Sequence, residues 1–132
     1  GADGIADAAF AKAFTDAAAV SGVIATKPRP GAESSAQSTF NKAYAAVGGD
    51  AEGIYTHETY DAIKIMAHAA LEGSDDIRDD LASVGSSYDG ASGVHSFDSN
   101  GDVAGTGYEV CQFDPAFTCT RIWTGSGGLA SQ

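Results

Sequence analysis

The chain of 132 residues predicts a single α/β domain with a short sheet. Three observations carry this. Four stretches space their apolar residues as helices do. One short apolar run, residues 23–26, stands alone between breakers. Two β-type runs, residues 94–97 and 108–113, flank Asp98-Ser99-Asn100-Gly101-Asp102. Asn100-Gly101 is a hairpin signal, because a tight turn needs residues that tolerate positive φ. The order is helix, strand, three helices and a terminal hairpin. So few strands cannot cover four helices, which points to partner strands outside these residues.

Gly1-Ala2-Asp3-Gly4 is a glycine-bracketed loop. It leads into a helix expected over residues 7–20, with Phe10, Phe14 and Ala17/Ala18 on one face and Asp7 favouring its N-terminal end. Ser21-Gly22 stops it. Residues 23–26 read as a buried strand that leaves into the loop Lys27-Pro28-Arg29-Pro30-Gly31, where alternating prolines argue against helix and ladder. Ser34/Ser35 open a second helix with Phe40, Tyr44 and Val47 as its apolar stripe, ended by Gly48-Gly49. Residues 50–53 are a linker. The longest helix is expected over residues 56–71, with Tyr60, Ile63, Ala67 and Ala70 on one apolar face and Ile65 and Met66 beside it. Ser74-Asp75-Asp76-Ile77 opens a fourth helix through Val84, with acidic residues where the helix dipole favours them. Residues 118–123 add a third β-type run, and residues 124–132 read as a flexible Gly/Ser tail.

Seven Lys+Arg against eighteen Asp+Glu leave a net charge of −11. Nucleic acid and anionic membranes require basic patches, so the charge argues against both as partners. No apolar run approaches the roughly 18 residues of a membrane span. The chain opens on Gly1 and reads as a processed or excised piece of something longer.

If Asp114-Pro115-Ala116 is a three-residue hairpin loop, Cys111 and Cys119 face each other on adjacent strands. Such neighbours have Cβ atoms roughly 4.5–5.5 Å apart, close to disulfide range. A disulfide implies an oxidising setting. The alternative is a pair of free thiols.

Asp98, Asn100 and Asp102, with Glu109 at position 12, resemble the start of a calcium loop. Val103 stands where that loop needs Gly, and a β-type run follows in place of a helix, which favours a plain turn. His57 and His68 lie roughly 16 Å apart along one helix, too far for a shared metal. His95 sits in a strand, and His68 and His95 read as structural. No metal site is expected. No Gly-x-Ser-x-Gly elbow exists, and Gly105-Thr106-Gly107 lacks the Lys-Ser/Thr of a phosphate loop. No enzyme and no cofactor are expected. Asp3, on a glycine-flanked loop before a helix, is accessible to a ligand's ammonium; the alternative is a plain loop residue in solvent.

The ordered stretches Gly1-Ala2-Asp3-Gly4, Ser21-Gly22-Val23-Ile24-Ala25-Thr26-Lys27-Pro28, Phe40-Asn41-Lys42-Ala43-Tyr44, Thr59-Tyr60-Asp61-Ala62-Ile63, Asp76-Ile77-Arg78-Asp79-Asp80-Leu81 and residues 88–102 resemble the C-terminal part of type I periplasmic binding proteins. The group it is most similar to is the branched-chain amino-acid (Leu/Ile/Val) substrate-binding proteins of ABC transporters. The resemblance covers nearly the whole chain. It implies a Rossmann-like three-layer lobe fragment with a C-terminal β-hairpin, taken from a two-lobe protein that closes on a small ligand. It implies that Asp3 receives the ligand's ammonium, while Tyr55 and His57 line the side-chain end of the pocket. A polar His57 there argues against a purely aliphatic ligand. It also makes the turn at 98–102 structural. Cys111 and Cys119 match nothing in the family pattern. The implied partners are an amino acid or similar small polar molecule and, for the full-length protein, an ABC permease. The implied location is extracytoplasmic, in the periplasm or as a cell-surface lipoprotein. A fragment with exposed lobe surfaces is prone to self-associate. The competing readings are the ligand-sensing lobe of a signalling receptor and a calcium-dependent structural module.

Overall fold

The computed structural model describes residues 1–29, 31–51, 53–103, 105, 107–125 and 127–132. Pro30 of the proline-flanked loop, Glu52 of the linker, Thr106 of the glycine-rich segment and Ser126 of the expected tail lie outside the described residues, as does Ala104. The chain forms two compact units, Gly1–Arg29 with Gly105–Gln132, and Pro30–Ala104.

The first unit is built on a four-stranded sheet of β1 (Ile24–Pro28), β4 (Tyr108–Asp114), β5 (Ala116–Trp123) and β6 (Ala130–Ser131), in the order β1-β4-β5-β6. All its strand pairs are antiparallel. Strand β4 alternates, so that Glu109, Cys111 and Phe113 are buried on one face. Helix α1 (Ala8–Lys12) packs there, with Phe10 against Phe113 at 5.7 Å and Phe113 against Phe117 at 4.9 Å. Buried Glu109 is matched by Lys27 Nζ at 3.3 Å and by Gln132 Nε2 at 2.6 Å. A buried carboxylate needs such donors to offset its lost hydration.

Three expectations for this unit change. The helix of residues 7–20 is divided into α1 and a 3-10 turn, Ala17–Val20. Asp16 is extended, and its carboxylate accepts from Ala18 N–H, a local bond that competes with helix continuation. Pro28 joins the ladder opposite Tyr108, because it ends an edge strand where its missing N–H is tolerated. The end of the expected tail returns as β6, pairing Ile122 with Ala130 and Arg121 with Ser131.

Residues 114–116 close the β4–β5 hairpin and set Cys111 opposite Cys119. The two sulfurs are bonded, with Cα atoms 3.9 Å apart.

The second unit holds three helices and a two-stranded hairpin. Helix α2 (Ser35–Ala46) starts at Ser34, whose hydroxyl accepts from Gln37 N–H at 3.1 Å. It stops where Gly48 takes φ 80°, with Gly48 N–H bonded to Ala45 O and Gly49 N–H to Tyr44 O. Helix α3 (Thr56–Glu72) follows, then α4 (Ile77–Val84), capped by the Asp76 carboxylate on Arg78 N–H. Strands β2 (Tyr88–Gly90) and β3 (Gly93–His95) close the unit.

The buried residues of α3 are Asp61, Ile65 and Ala69, spaced four apart. Tyr60, Ile63 and Met66 are exposed, so the helix is rotated from the expected face. Asp61 decides the rotation. Its Oδ1 accepts from Ala91 N–H at 2.8 Å, and its Oδ2 from Ser92 N–H at 2.7 Å and the Ser92 hydroxyl at 2.6 Å. His95 Nε2 lies 3.4 Å from Oδ2 and 2.7 Å from the Ser92 hydroxyl oxygen. Gly90 lies directly under this carboxylate; a Cβ there would stand 2.3 Å from Oδ2.

The hairpin expected between residues 94–97 and 108–113 does not form. Residues 93–95 pair with 88–90, while β4 pairs with β1 and β5. The turn at 98–102 closes on itself through a single Phe97–Val103 bridge. Gly101 takes φ 86°, and Asp98 Oδ1 accepts from Asn100 N–H at 2.8 Å and Asp102 N–H at 3.0 Å.

Three outcomes are expected. Asp61→Ala orphans three donors and lowers stability by about 3 kcal/mol or more in urea unfolding, and Asp61→Asn, which keeps one acceptor, by about 2 kcal/mol. Reduction of Cys111–Cys119 lowers stability by about 2 kcal/mol, read as a fall in Tm with reductant. The N–H groups of Asp102 and Asn100 hold the Asp98 carboxyl below the usual carboxylate range. The stabilisation this gives the turn is complete above about pH 4, the ordinary Asp value, and is lost as pH falls through the lowered folded value. Carbon-detected NMR titration should therefore show Asp98 protonating after an unperturbed aspartate as the pH is lowered.

Candidate functional site

Tyr55 precedes α3 and adopts φ 63°, ψ 11°, the left-handed region. A bulky side chain there carries a Cβ–carbonyl clash that Gly would avoid. Non-glycine residues are held in this conformation mainly where their side chain has a task. Tyr55 is 45% exposed and stands at a groove between α2 and α3 of about 540 Å³. The groove is lined along α2 by Thr39, Phe40 and Tyr44, and at the start of α3 by Tyr55, Thr56 and Tyr60, among others. Phe40, buried at its floor, contacts Tyr44 at 5.2 Å and Tyr60 at 4.6 Å between ring centroids. Such a groove can receive an apolar or aromatic group of small-molecule size.

His57 does not line this groove. Its Nε2 lies 2.7 Å from Asn41 Oδ1, and its ring meets Phe40 at 5.1 Å. Because Asn41 Oδ1 only accepts, Nε2 carries the proton. The imidazole is thus committed to joining α3 to α2.

Asp3 belongs to the first unit. It opens a 3-10 turn, Asp3–Ile5, and is half-buried, with its carbonyl accepting from Ala6 N–H. Beside it Gly4 faces open space, since a Cβ there would meet nothing within 4 Å. Tyr55 and His57 belong to the second unit, where the start of α3 brings them together.

Asp61, Ser92 and His95 form a Ser-His-Asp cluster that sequence reasoning did not assemble. Its bonding is not that of an activated serine. The Ser92 proton is directed at Asp61 Oδ2, and one imidazole nitrogen, Nε2, serves both partners. In an acyl-transfer triad the serine proton points at the imidazole and the carboxylate holds the other nitrogen. This cluster fastens β2–β3 to α3. The signal available in the sequence was the four-residue spacing of Asp61, Ile65 and Ala69. Burial pushes the neighbouring Tyr88 phenol up, and the negative charge of Asp61 adds to the rise.

At the two places where acidic or sulfur groups gather, the donors already have partners. Asp98 Oδ1 accepts from Asn100 and Asp102 N–H, and Glu109 is matched by Lys27 and Gln132. Glu109, Cys111 and Cys119 cluster within 4.8 Å, but the disulfide consumes both thiolates. Among the described residues, no helix is long and apolar enough to cross a membrane.

No protein-family model matches the chain, and no curated protein matches it. Solved structures do. A leucine-binding protein from Thermotoga maritima matches over 94% of this chain and 36% of its own, at 20% identity and a TM-score of 0.69. An ABC transporter substrate-binding protein from Desulfitobacterium hafniense, in complex with Leu, matches over 76% of this chain and 31% of its own, at 23% identity and a TM-score of 0.58. The chain spans about a third of the length of these structures. Its α/β architecture is therefore part of the fold seen in this leucine-binding protein and this ABC transporter substrate-binding protein.

Proposed function

We propose that these 132 residues are the C-terminal part of an extracytoplasmic solute-binding protein that captures an amino acid or similar small polar molecule for an ABC importer. The observation that carries this is the match of 94% of the chain to a leucine-binding structure and of 76% to an ABC transporter substrate-binding structure. The groove between α2 and α3, lined at the start of α3 by Tyr55, Thr56, Thr59 and Tyr60, supports it. Asp3 supplies the carboxylate for the ligand's ammonium. Tyr55 and His57 serve the side-chain end, Tyr55 by its ring and His57 by fixing the start of α3 through Asn41. The chemistry is binding without covalent steps. A carboxylate–ammonium hydrogen bond strengthens when water is expelled around it, which is how lobe closure converts contact into affinity. The disulfide accords with an oxidising compartment.

Calorimetry of the full-length protein against leucine and the other common amino acids tests this reading. At least one should bind, and Asp3→Asn should weaken it by about 10-fold or more, the worth of a charge-assisted hydrogen bond. Tyr55→Gly should weaken binding while holding or raising Tm, because Gly relieves the left-handed backbone by about 1 kcal/mol. Failure of every amino acid to bind, or unchanged affinity in Asp3→Asn, counts against the reading. Submicromolar binding by the 132 residues alone would also contradict it.

A further inference from the structure

Glu109 and Cys111 lie two apart on β4 and share its buried face. Across the hairpin they meet Ile122 and Cys119. Cys119 and Ile122 are three apart on β5, so a regular strand would point them to opposite faces. The register shift between Val110 and Cys111 corrects this by leaving Thr120 as an extra residue on β5. A bulge of this kind bends its strand and re-aims the side chains beside it. A carboxylate oxygen of Glu109 and the sulfurs of Cys111 and Cys119 all lie within 4.8 Å of one another. Glu109 and Cys111 are buried, while Cys119 is half-buried and opens the group to solvent.

With the disulfide formed, the sulfurs carry no charge, and Lys27 and Gln132 match the carboxylate. A dithiol reductant changes that balance. It gives two electrons to the S–S bond and becomes a disulfide itself, leaving two thiols on β4 and β5. Strand pairing keeps their Cα atoms 3.9 Å apart, so both sulfurs stay on the buried face when the bond opens. Each thiol that loses its proton there adds a negative charge beside Glu109, which is disfavoured unless a cation enters. We propose that the reduced hairpin is a zinc site, with Sγ of Cys111, Sγ of Cys119 and one oxygen of Glu109 as ligands and water in the fourth position. Thiolate ligands select zinc over calcium or magnesium. Tetrahedral zinc, with Zn–S of about 2.3 Å and Zn–O of about 2.1 Å, needs its donors roughly 3.6–3.8 Å apart. From its present place the carboxylate oxygen travels about 1 Å at most to reach that spacing. Zinc takes both sulfurs as thiolates and releases their two protons. The charges then cancel, two thiolates and one carboxylate against zinc and Lys27. Lys27 and Gln132 stay where they are, because a carboxylate has about four lone-pair sites, and they become the outer partners that orient Glu109.

Zinc titration against a chromophoric chelator tests this on the full-length protein, first oxidised and then reduced by an immobilised dithiol. The reduced protein should take up one zinc per chain more than the oxidised protein. Co2+ in its place should give a thiolate-to-cobalt charge-transfer band. Cys111→Ser combined with Cys119→Ser should remove the extra equivalent. Glu109→Gln, which keeps the shape of the side chain, should weaken the site by about 10-fold or more. Zinc should also raise the Tm of the reduced protein, since a metal that binds the native state stabilises it. No extra equivalent after reduction overturns the proposal. Equal affinity in Glu109→Gln does so too, because two thiols would then be acting alone. Uptake with no rise in Tm places the metal on unfolded chain and is equally fatal. Should Glu109→Gln fail to fold, the Tm response and the cobalt band of the unsubstituted protein decide the matter.

Discussion

The second unit depends on one buried carboxylate. Asp61 is 2% exposed and takes three short hydrogen bonds from the two residues of the β2–β3 turn. A carboxylate is costly to bury unless such donors replace its water. Once they do, the charge becomes a fastening, because any slip of α3 against the hairpin leaves it unpaired. The surrounding geometry follows. Gly90 must lack a side chain, Ser92 must supply a hydroxyl, and α3 must turn the 61/65/69 face inward. That rotation leaves Ile63 and Met66 outside and sets Tyr60 at the α2–α3 groove.

The first unit depends on the alternation of β4. Glu109, Cys111 and Phe113 share a face, and each is settled by a different force: an ion pair, a covalent bond and aromatic packing. The apolar contribution is concentrated in few residues. Phe113 is fully buried, and among the described residues of this unit only Ala25, Val20, Cys111 and Ala6 are comparably buried apolar residues. A core this small gains from a cross-link and from the pairing of β6, which brings Gln132 to Glu109.

One of the residues proposed to serve the ligand stands where a local rule is broken. Tyr55 stands in the left-handed region at a helix start, where Ser, Thr, Asp or Asn would cap and Gly would relax. A position that forgoes both accords with the role proposed for the ring beside the groove. His57 shows the opposite case. Its polarity, which as a pocket residue argued against an aliphatic ligand, is spent on Asn41 and tells little about what binds.

The sequence by itself determined the features that act over a few residues. Helix ends were legible because Ser34, Asp76 and Gly48-Gly49 act on backbone groups within a turn of themselves. The pairing of Cys111 with Cys119 was legible because a short loop sets the register of its own hairpin. The net charge of −11 is a property of composition and needs no fold. Only the tertiary structure decided which face of α3 is buried, that residues 94–97 do not pair with 108–113, and that Asp61, Ser92 and His95 meet. Those outcomes rest on contacts about 30 residues apart, where helical periodicity favoured Tyr60 and Ile63 but a buried charge in need of donors prevailed.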